Sequence, residues 1–217
     1  MRALILAGGD QPDPALLDAR WPGWREVALV IAADGGARYA APLGLPLHQV
    51  VGDFDSLSAG DADELEAAGV TITRFSANKD ATDTELALLA ALDAGATEIA
   101  LLCTWGGRSD HAIGTLALLA HPRCSGAVVV LLDEQTRTQL VRSGTTLTLH
   151  GETGRTVSLT PWGGDAMVTA TGVRWPLDNE LLTAGGTRGI SNVATAAEVV
   201  ITVHNGAVLV SEEGGAA

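Results

Sequence analysis

Six short apolar runs punctuate the first part of the chain: 2–7, 27–33, 48–52, 70–75, 98–103 and 127–133. They are continuous rather than alternating, which is the pattern of strands buried on both faces of a parallel sheet. Between them, Leu57 to Ala68, Thr82 to Ala94 and His111 to Ala120 carry helical spacing. In the middle segment Leu86, Leu89, Ala90 and Asp93 follow the helical period, and Gly95 supplies a stop signal. Strand–helix alternation of this kind builds βαβ units and therefore an α/β sheet.

The pattern changes near residue 143. From there TTLTLHG, RTVSLTPW, AMVTATG and VVITVHNGAVLVS are rich in Thr and Val and alternate in places. His204-Asn205-Gly206-Ala207 sets Asn-Gly between two such runs, which predicts a β-hairpin. The expected architecture is an N-terminal, mostly parallel α/β domain over 1–143 and a small antiparallel β-sandwich over 144–217.

Charge narrows the partners. The chain has 26 acidic residues against 13 basic ones, a formal net charge of −13. Such a surface repels a nucleic-acid backbone or an anionic membrane leaflet, so neither is an expected partner. No uninterrupted apolar stretch reaches the 18 or so residues of a membrane span. The N-terminal MRALILAGGD runs straight into a Gly-Gly turn and reads as a buried strand, so a cytoplasmic protein is expected. Cys103 and Cys124 lie in apolar surroundings and read as reduced core residues.

The informative acids gather where predicted strands end. Asp34-Gly35-Gly36 follows the second run, and Asp53-Phe54-Asp55-Ser56 the third. Lys79-Asp80-Ala81-Thr82-Asp83 follows the fourth and opens a helix, as Gly106-Gly107-Arg108-Ser109-Asp110-His111 does after the fifth. Ligands of open α/β sheets bind outside the carboxyl ends of the strands, so these four loops describe one candidate pocket. Asp53 and Asp55 read as a turn and helix cap, or as two carboxylates converging on a cation. Asp80 and Asp83 read as helix-start residues at the positive end of the dipole, or as part of the same site. Lys79 is the one lysine beside twelve arginines, a compact charge suited to a phosphate oxygen. Arg108 beside a glycine pair and a helix start reads as an anion site, with Asp110 alternatively a cap. Carboxylates with a lysine and an arginine suggest Mg²⁺ shared between one or two carboxylates and substrate phosphates. No G-x-G-x-x-G, P-loop, H-E-x-x-H, G-x-S-x-G or C-x-x-C pattern occurs.

These motifs, in this order, resemble the thiamine pyrophosphokinase (thiamine diphosphokinase) family. The match runs through ADGG (33–36), GDFDS (52–56), KDATDTELAL (79–88) and GGRSDH (106–111). It continues through GVRWPLDNELL (172–182) and GISN (189–192). The resemblance implies a homodimeric transferase that moves the pyrophosphoryl group of ATP to the hydroxyethyl group of thiamine, with Mg²⁺. It implies Asp53, Asp55 and Asp83 as metal carboxylates, and Asp110 with them in the catalytic set. Asp34, Gly35, Thr82 and Arg108 become nucleotide- and phosphate-facing, with Lys79 and Asp80 beside them. Ser191 and Asn192 become thiamine contacts supplied by the second subunit, while the residues alone read as a polar turn. The β domain thereby becomes the thiamine-binding and dimerisation domain. Two departures stand out: Cys103-Thr104-Trp105 replaces a small Gly-Ala-type segment, and residues 193–217 hold no aromatic to stack on thiamine. The second departure raises two alternatives, a different alcohol acceptor such as a hydroxymethylpterin, or a dimer that binds without transferring.

Overall fold

The computed structural model describes residues 1–54, 59–76 and 80–214. The chain divides into two compact units. The first comprises Met1–Asp18 and Pro22–Glu134, the second Ala19–Trp21 and Gln135–Ala217.

The first unit is built on β1 (Arg2–Leu6), β2 (Leu29–Ala33), β3 (Gln49–Gly52), β4 (Thr71–Arg74), β5 (Glu98–Leu102) and β6 (Val128–Leu132). All pair in parallel, in the order β6-β5-β1-β2-β3-β4. The continuous apolar runs are explained by burial: Leu4, Ile5, Leu6, Val30, Ile31 and Ala32 are wholly inaccessible to solvent. Two-sided burial leaves no polar face to alternate with, hence the unbroken hydrophobic pattern. The chain order reverses beside β1: β2, β3 and β4 lie to one side, β5 and β6 to the other. The carboxyl ends of β1 and β5 thus flank the topological switch point.

Among the described residues there are four α-helices: α1 (Pro14–Arg20), α2 (Ala59–Ala67), α3 (Asp83–Asp93) and α4 (Ser109–Leu118). Helix α1 and a 3₁₀ segment over Asp34–Tyr39 have no counterpart in the sequence reading. Thr82 caps α3, its hydroxyl accepting from the Glu85 N–H at 3.2 Å, and Asp83 and Glu85 fill the first turn. The cap role that Asp80 could have played therefore belongs to Thr82. No helix among the described residues is long and apolar enough to cross a membrane.

The second unit is antiparallel throughout. Strands β7 (Thr136–Arg142), β9 (Thr156–Pro161), β12 (Asn192–Val193) and β14 (Ala207–Glu213) form the order β12-β9-β14-β7. Strands β8 (Thr145–His150), β10 (Ala166–Thr171), β11 (Leu177–Leu182) and β13 (Glu198–Asn205) form the order β11-β10-β13-β8. Side chains of both sheets fill one core: Val157, Leu159, Val208 and Val210 from the first, Val168, Val199, Ile201 and Val203 from the second. This is the antiparallel sandwich that the Thr/Val-rich runs predict.

Two differences matter. Strand β7 lies before the change in composition at 143, with charged and polar residues along its length. The Asn205-Gly206 step does not close a hairpin: β13 pairs with β8 and β10, whereas β14 pairs with β7 and β9. The turn is a corner that carries the chain from one sheet to the other. Gly206 stands at φ +79°, and a Cβ there would run into the Asp165 carbonyl oxygen. Asn-Gly reported a tight left-handed turn correctly, but turn chemistry carries no information about which sheet each strand joins.

Candidate active site

A cleft of about 520 Å³ opens at the carboxyl ends of the parallel strands in the first unit. After β1 it is lined by Ala7, Gly8 and Gly9, and after β5 by Cys103, Thr104, Gly106 and Gly107, the two sides of the switch point. Asp34, Gly35 and Arg38 follow β2, Asp53 follows β3, and Thr82 and Asp83 begin α3. Arg108, His111 and Thr115 come from α4 and its approach.

Glycines permit the crowding. A Cβ on Gly36 would strike the Leu6 carbonyl oxygen, so the 3₁₀ segment after β2 lies directly against the end of β1. A Cβ on Gly52 would stand 2.9 Å from Asp34 Cβ and 3.3 Å from Asp83 Oδ1. Asp34 and Asp83 therefore close over the same glycine from different elements. Sequence places them 49 positions apart; the sheet makes them neighbours.

Two non-glycine residues of the cleft lining, Asp34 and Cys103, stand at positive φ. Asp34 takes φ +44°, a left-handed conformation uncommon outside glycine. It is 7% exposed, and its Oδ1 is buried with no hydrogen-bond partner among the described residues. A buried carboxylate oxygen without a donor costs free energy that a cation or a ligand donor would recover. The Thr104 hydroxyl is likewise buried and without a partner among the described residues.

At the cleft's rim Arg108 binds Asp110 through two bonds, Nε to Oδ1 at 3.1 Å and Nη2 to Oδ2 at 2.6 Å. Both side chains are well exposed. Arg108's hydrogen bonds hold the Asp110 carboxyl down at about 2, below the ordinary carboxylate range. Asp110 also accepts from the His111 N–H at 3.0 Å, so it sits at the start of α4 and orients Arg108 as well. Burial pushes the Cys103 thiol up to about 12, with Arg38 lowering it and Asp10 raising it by smaller amounts.

Of the residues singled out from sequence, Asp34, Gly35, Asp53, Thr82, Asp83 and Arg108 line one cleft, with Asp110 bonded to Arg108. Asp80 is exposed and does not line it. Asp55 and Lys79 lie outside the described residues. Trp105 is 39% exposed and is not among the lining residues; its carbonyl accepts from the Asp10 N–H at 2.6 Å. Arg38, Thr104 and Thr115 line the cleft and were missed. Arg38 and Thr104 stand within four residues of motifs that were read, but a lone Arg or Thr carries no signal of its own.

Ser191 and Asn192 belong to the second unit. Ser191 sits at φ +60°, and its N–H donates to Ser158 Oγ at 3.0 Å. Asn192 is 7% exposed. Its Oδ1 accepts from the N–H groups of Trp175 (3.1 Å) and Val193 (2.9 Å), and its Nδ2 donates to the Trp175 carbonyl at 2.7 Å. The amide thus ties the segment 172–182 to the segment 189–192, and Trp175 presents a 56% exposed indole beside that tie.

Comparison with known proteins gives consistent matches over both units. Residues 22–131 match the family model described as thiamin pyrophosphokinase, catalytic domain. Residues 145–208 match the one described as thiamin pyrophosphokinase, vitamin B1 binding domain. The chain is 32% identical over 168 residues to a thiamine pyrophosphokinase of Bacillus subtilis, covering 77% of this chain and 78% of that one. It is 29% identical over 204 residues to thiamine pyrophosphokinase 1 of Oryza sativa, covering 82% and 76%. Among solved structures, the Bacillus subtilis thiamine pyrophosphokinase superposes with a TM-score of 0.84 at 27% identity, over the whole of both chains. A thiamin pyrophosphokinase family protein of Enterococcus faecalis does so with a TM-score of 0.82 at 26% identity, over 98% and 99%.

Proposed function

The chain belongs to the thiamine pyrophosphokinase family, and on that premise we propose how its residues divide the work. The activity is that of a thiamine diphosphokinase: transfer of a pyrophosphoryl group from ATP to the hydroxyl of thiamine, giving thiamine diphosphate and AMP. The observation that carries the reading is the cleft at the switch point, where Asp34, Asp53 and Asp83 converge beside Thr82, Arg38 and Arg108. So many carboxylates repel a triphosphate unless cations lie between them.

The donor set fits a hard divalent cation. Asp34 keeps a buried oxygen without a donor among the described residues, and Asp53 and Asp83 line the same cleft. Among the described residues no three His, Cys, Asp or Glu side chains form a cage, and Mg²⁺ needs only one or two carboxylates with phosphates and water. Asp53 and Asp83 would hold it, together with Asp55. When bound, Mg²⁺ neutralises charge on the transferring phosphates.

The chain's own residues do the rest. Thr82 and the start of α3 offer N–H donors to a phosphate. Asp110 takes Nε and one Nη2 hydrogen of Arg108 and holds the guanidinium in place, so Arg108 offers a phosphate oxygen only its remaining Nη hydrogens. Lys79 and Asp80 stand in the segment before α3. Gly35, without a side chain, lets the nucleotide approach the backbone after β2. In-line attack by the thiamine hydroxyl then depends chiefly on position and charge.

The acceptor site is completed in a homodimer. Ser191 of the partner subunit reaches the thiamine, while Asn192 acts by holding the turn that presents it, since its amide is engaged by Trp175 and Val193. A pterin acceptor is not favoured, because a vitamin B1 binding domain matches 145–208, and a non-catalytic dimer is not favoured, because a catalytic domain matches 22–131. A cytoplasmic setting suits two buried cysteines outside any disulfide. The test is to incubate the protein with thiamine, ATP and Mg²⁺ and to quantify AMP and thiamine diphosphate. Absence of both products from protein that binds ATP would refute the assignment.

A further inference from the structure

We propose that Arg38 is a phosphate-binding residue of the nucleotide site, and that Tyr39 is the positioning residue that aims it. This rests on the reading of the cleft as the nucleotide site.

Three observations carry it. The first is charge. The cleft is lined by three carboxylates, Asp34, Asp53 and Asp83, and by two guanidinium-bearing residues, Arg38 and Arg108. Arg108 is already committed to Asp110 by two hydrogen bonds. No carboxylate among the described residues forms an ion pair with Arg38. In a chain with 26 acids and 13 bases, a cation beside three carboxylate-bearing residues that pairs with none of them is available to a ligand anion.

The second is placement. The Arg38 guanidinium stacks on the Tyr39 ring at 4.6 Å, its Nη2 donates to the Tyr39 hydroxyl at 2.6 Å, and it reaches the Gly8 carbonyl at 3.5 Å. The Tyr39 hydroxyl in turn donates to the Gly9 carbonyl at 2.5 Å. Gly8 and Gly9 line the cleft, so the pair anchors the guanidinium on the loop after β1, at the switch point. Stacking on an aromatic face removes much of the rotamer freedom of an exposed arginine before any ligand arrives. Among the described residues only Nη2 is engaged, and its partners are neutral, so Nε and Nη1 keep their donors.

The third is reach. The charge of Arg38 lowers the pKa of Cys103, a buried residue after β5 that also lines the cleft. The field of Arg38 therefore reaches the cleft lining, in keeping with the placement of the guanidinium on the loop after β1. The chemistry that matches is a phosphate oxygen of the bound nucleotide, met by charge-assisted N–H donors.

The experiment is isothermal titration of the full-length protein, with Mg²⁺ and without thiamine, by ATP and by adenosine, at several salt concentrations. Arg38→Gln should weaken ATP binding roughly tenfold or more, the scale of a lost hydrogen bond to a charged group. Adenosine affinity should be unchanged, and the salt dependence of ATP binding should become shallower. Arg38→Lys should restore part of the loss, and Tyr39→Phe should give an intermediate loss confined to ATP. Equal losses for ATP and adenosine would show damage to the loop and overturn the proposal. So would ATP affinity in Arg38→Gln equal to that of the parent protein. Failure of the parent protein itself to bind ATP would instead refute the nucleotide-site reading, which separates the two failures.

Discussion

Replacing Asn192 with alanine removes one small side chain and three hydrogen bonds. The amide is 7% exposed, accepts from the N–H groups of Trp175 and Val193, and donates to the Trp175 carbonyl. Each such bond contributes about 1 kcal/mol net, and each buried group left without a partner costs more. Three bonds set an estimate of about 3 kcal/mol, lowered toward about 2 kcal/mol because all three are only partly buried. Chemical denaturation of parent and variant in guanidinium measures the difference directly, provided the slope with denaturant stays constant. Asn192→Asp should lose nearly as much, because it sets a carboxylate oxygen against the Trp175 carbonyl. A thiamine titration of the variants adds the functional readout: KM for thiamine should rise in step with lost stability, and KM for ATP should not move. If Asn192→Ala stays within about 0.5 kcal/mol of the parent while thiamine KM rises steeply, the amide contacts thiamine directly and the clamp argument is wrong.

Three further outcomes are expected. Asp53→Asn and Asp83→Asn should abolish AMP formation with near-native circular dichroism and thermal unfolding; turnover within a few fold of the parent in either variant would remove that residue from the catalytic set. Glu212 is 3% exposed, accepts two bonds from Arg137 and lies 3.6 Å from the buried Arg155 Nε, so Glu212→Gln should cost about 3–5 kcal/mol by leaving buried guanidinium charge uncompensated. A loss under about 1 kcal/mol in the same denaturation assay would show that water or relaxation satisfies the arginines. The Cys103 thiol, pushed up to about 12 by burial, should resist iodoacetamide at pH 8 until the protein is unfolded. Because the folded thiol holds its proton longer than the unfolded one, its contribution is intact below about pH 9 and is lost as pH rises from there toward about 12. Rapid labelling of native protein at pH 8 would contradict this.

What could be seen in the sequence follows from how far each physical signal reaches along the chain. The parallel sheet was legible because two-sided burial writes itself into six consecutive apolar runs. The acidic loops were legible because each lies next to the strand that positions it. Strand β7 was not, since Arg137 and Gln139 interrupt its hydropathy, and Arg137 is satisfied by Glu212 on β14, 75 positions away. The corner at Gly206 was misread for a related reason: its local conformation is fixed by the backbone, but the partners of the strands on either side are fixed by the whole sandwich core. The same limit applies inside the cleft. Asp34 and Asp83 could each be nominated from their own motif, yet their approach over Gly52 depends on β2 and β3 lying side by side. Arg38 had no motif of its own, and its significance appears only when the acids around it have been placed. A cation's role in such a site is set by which neighbours already neutralise it, and that is a property of the fold rather than of any stretch of sequence.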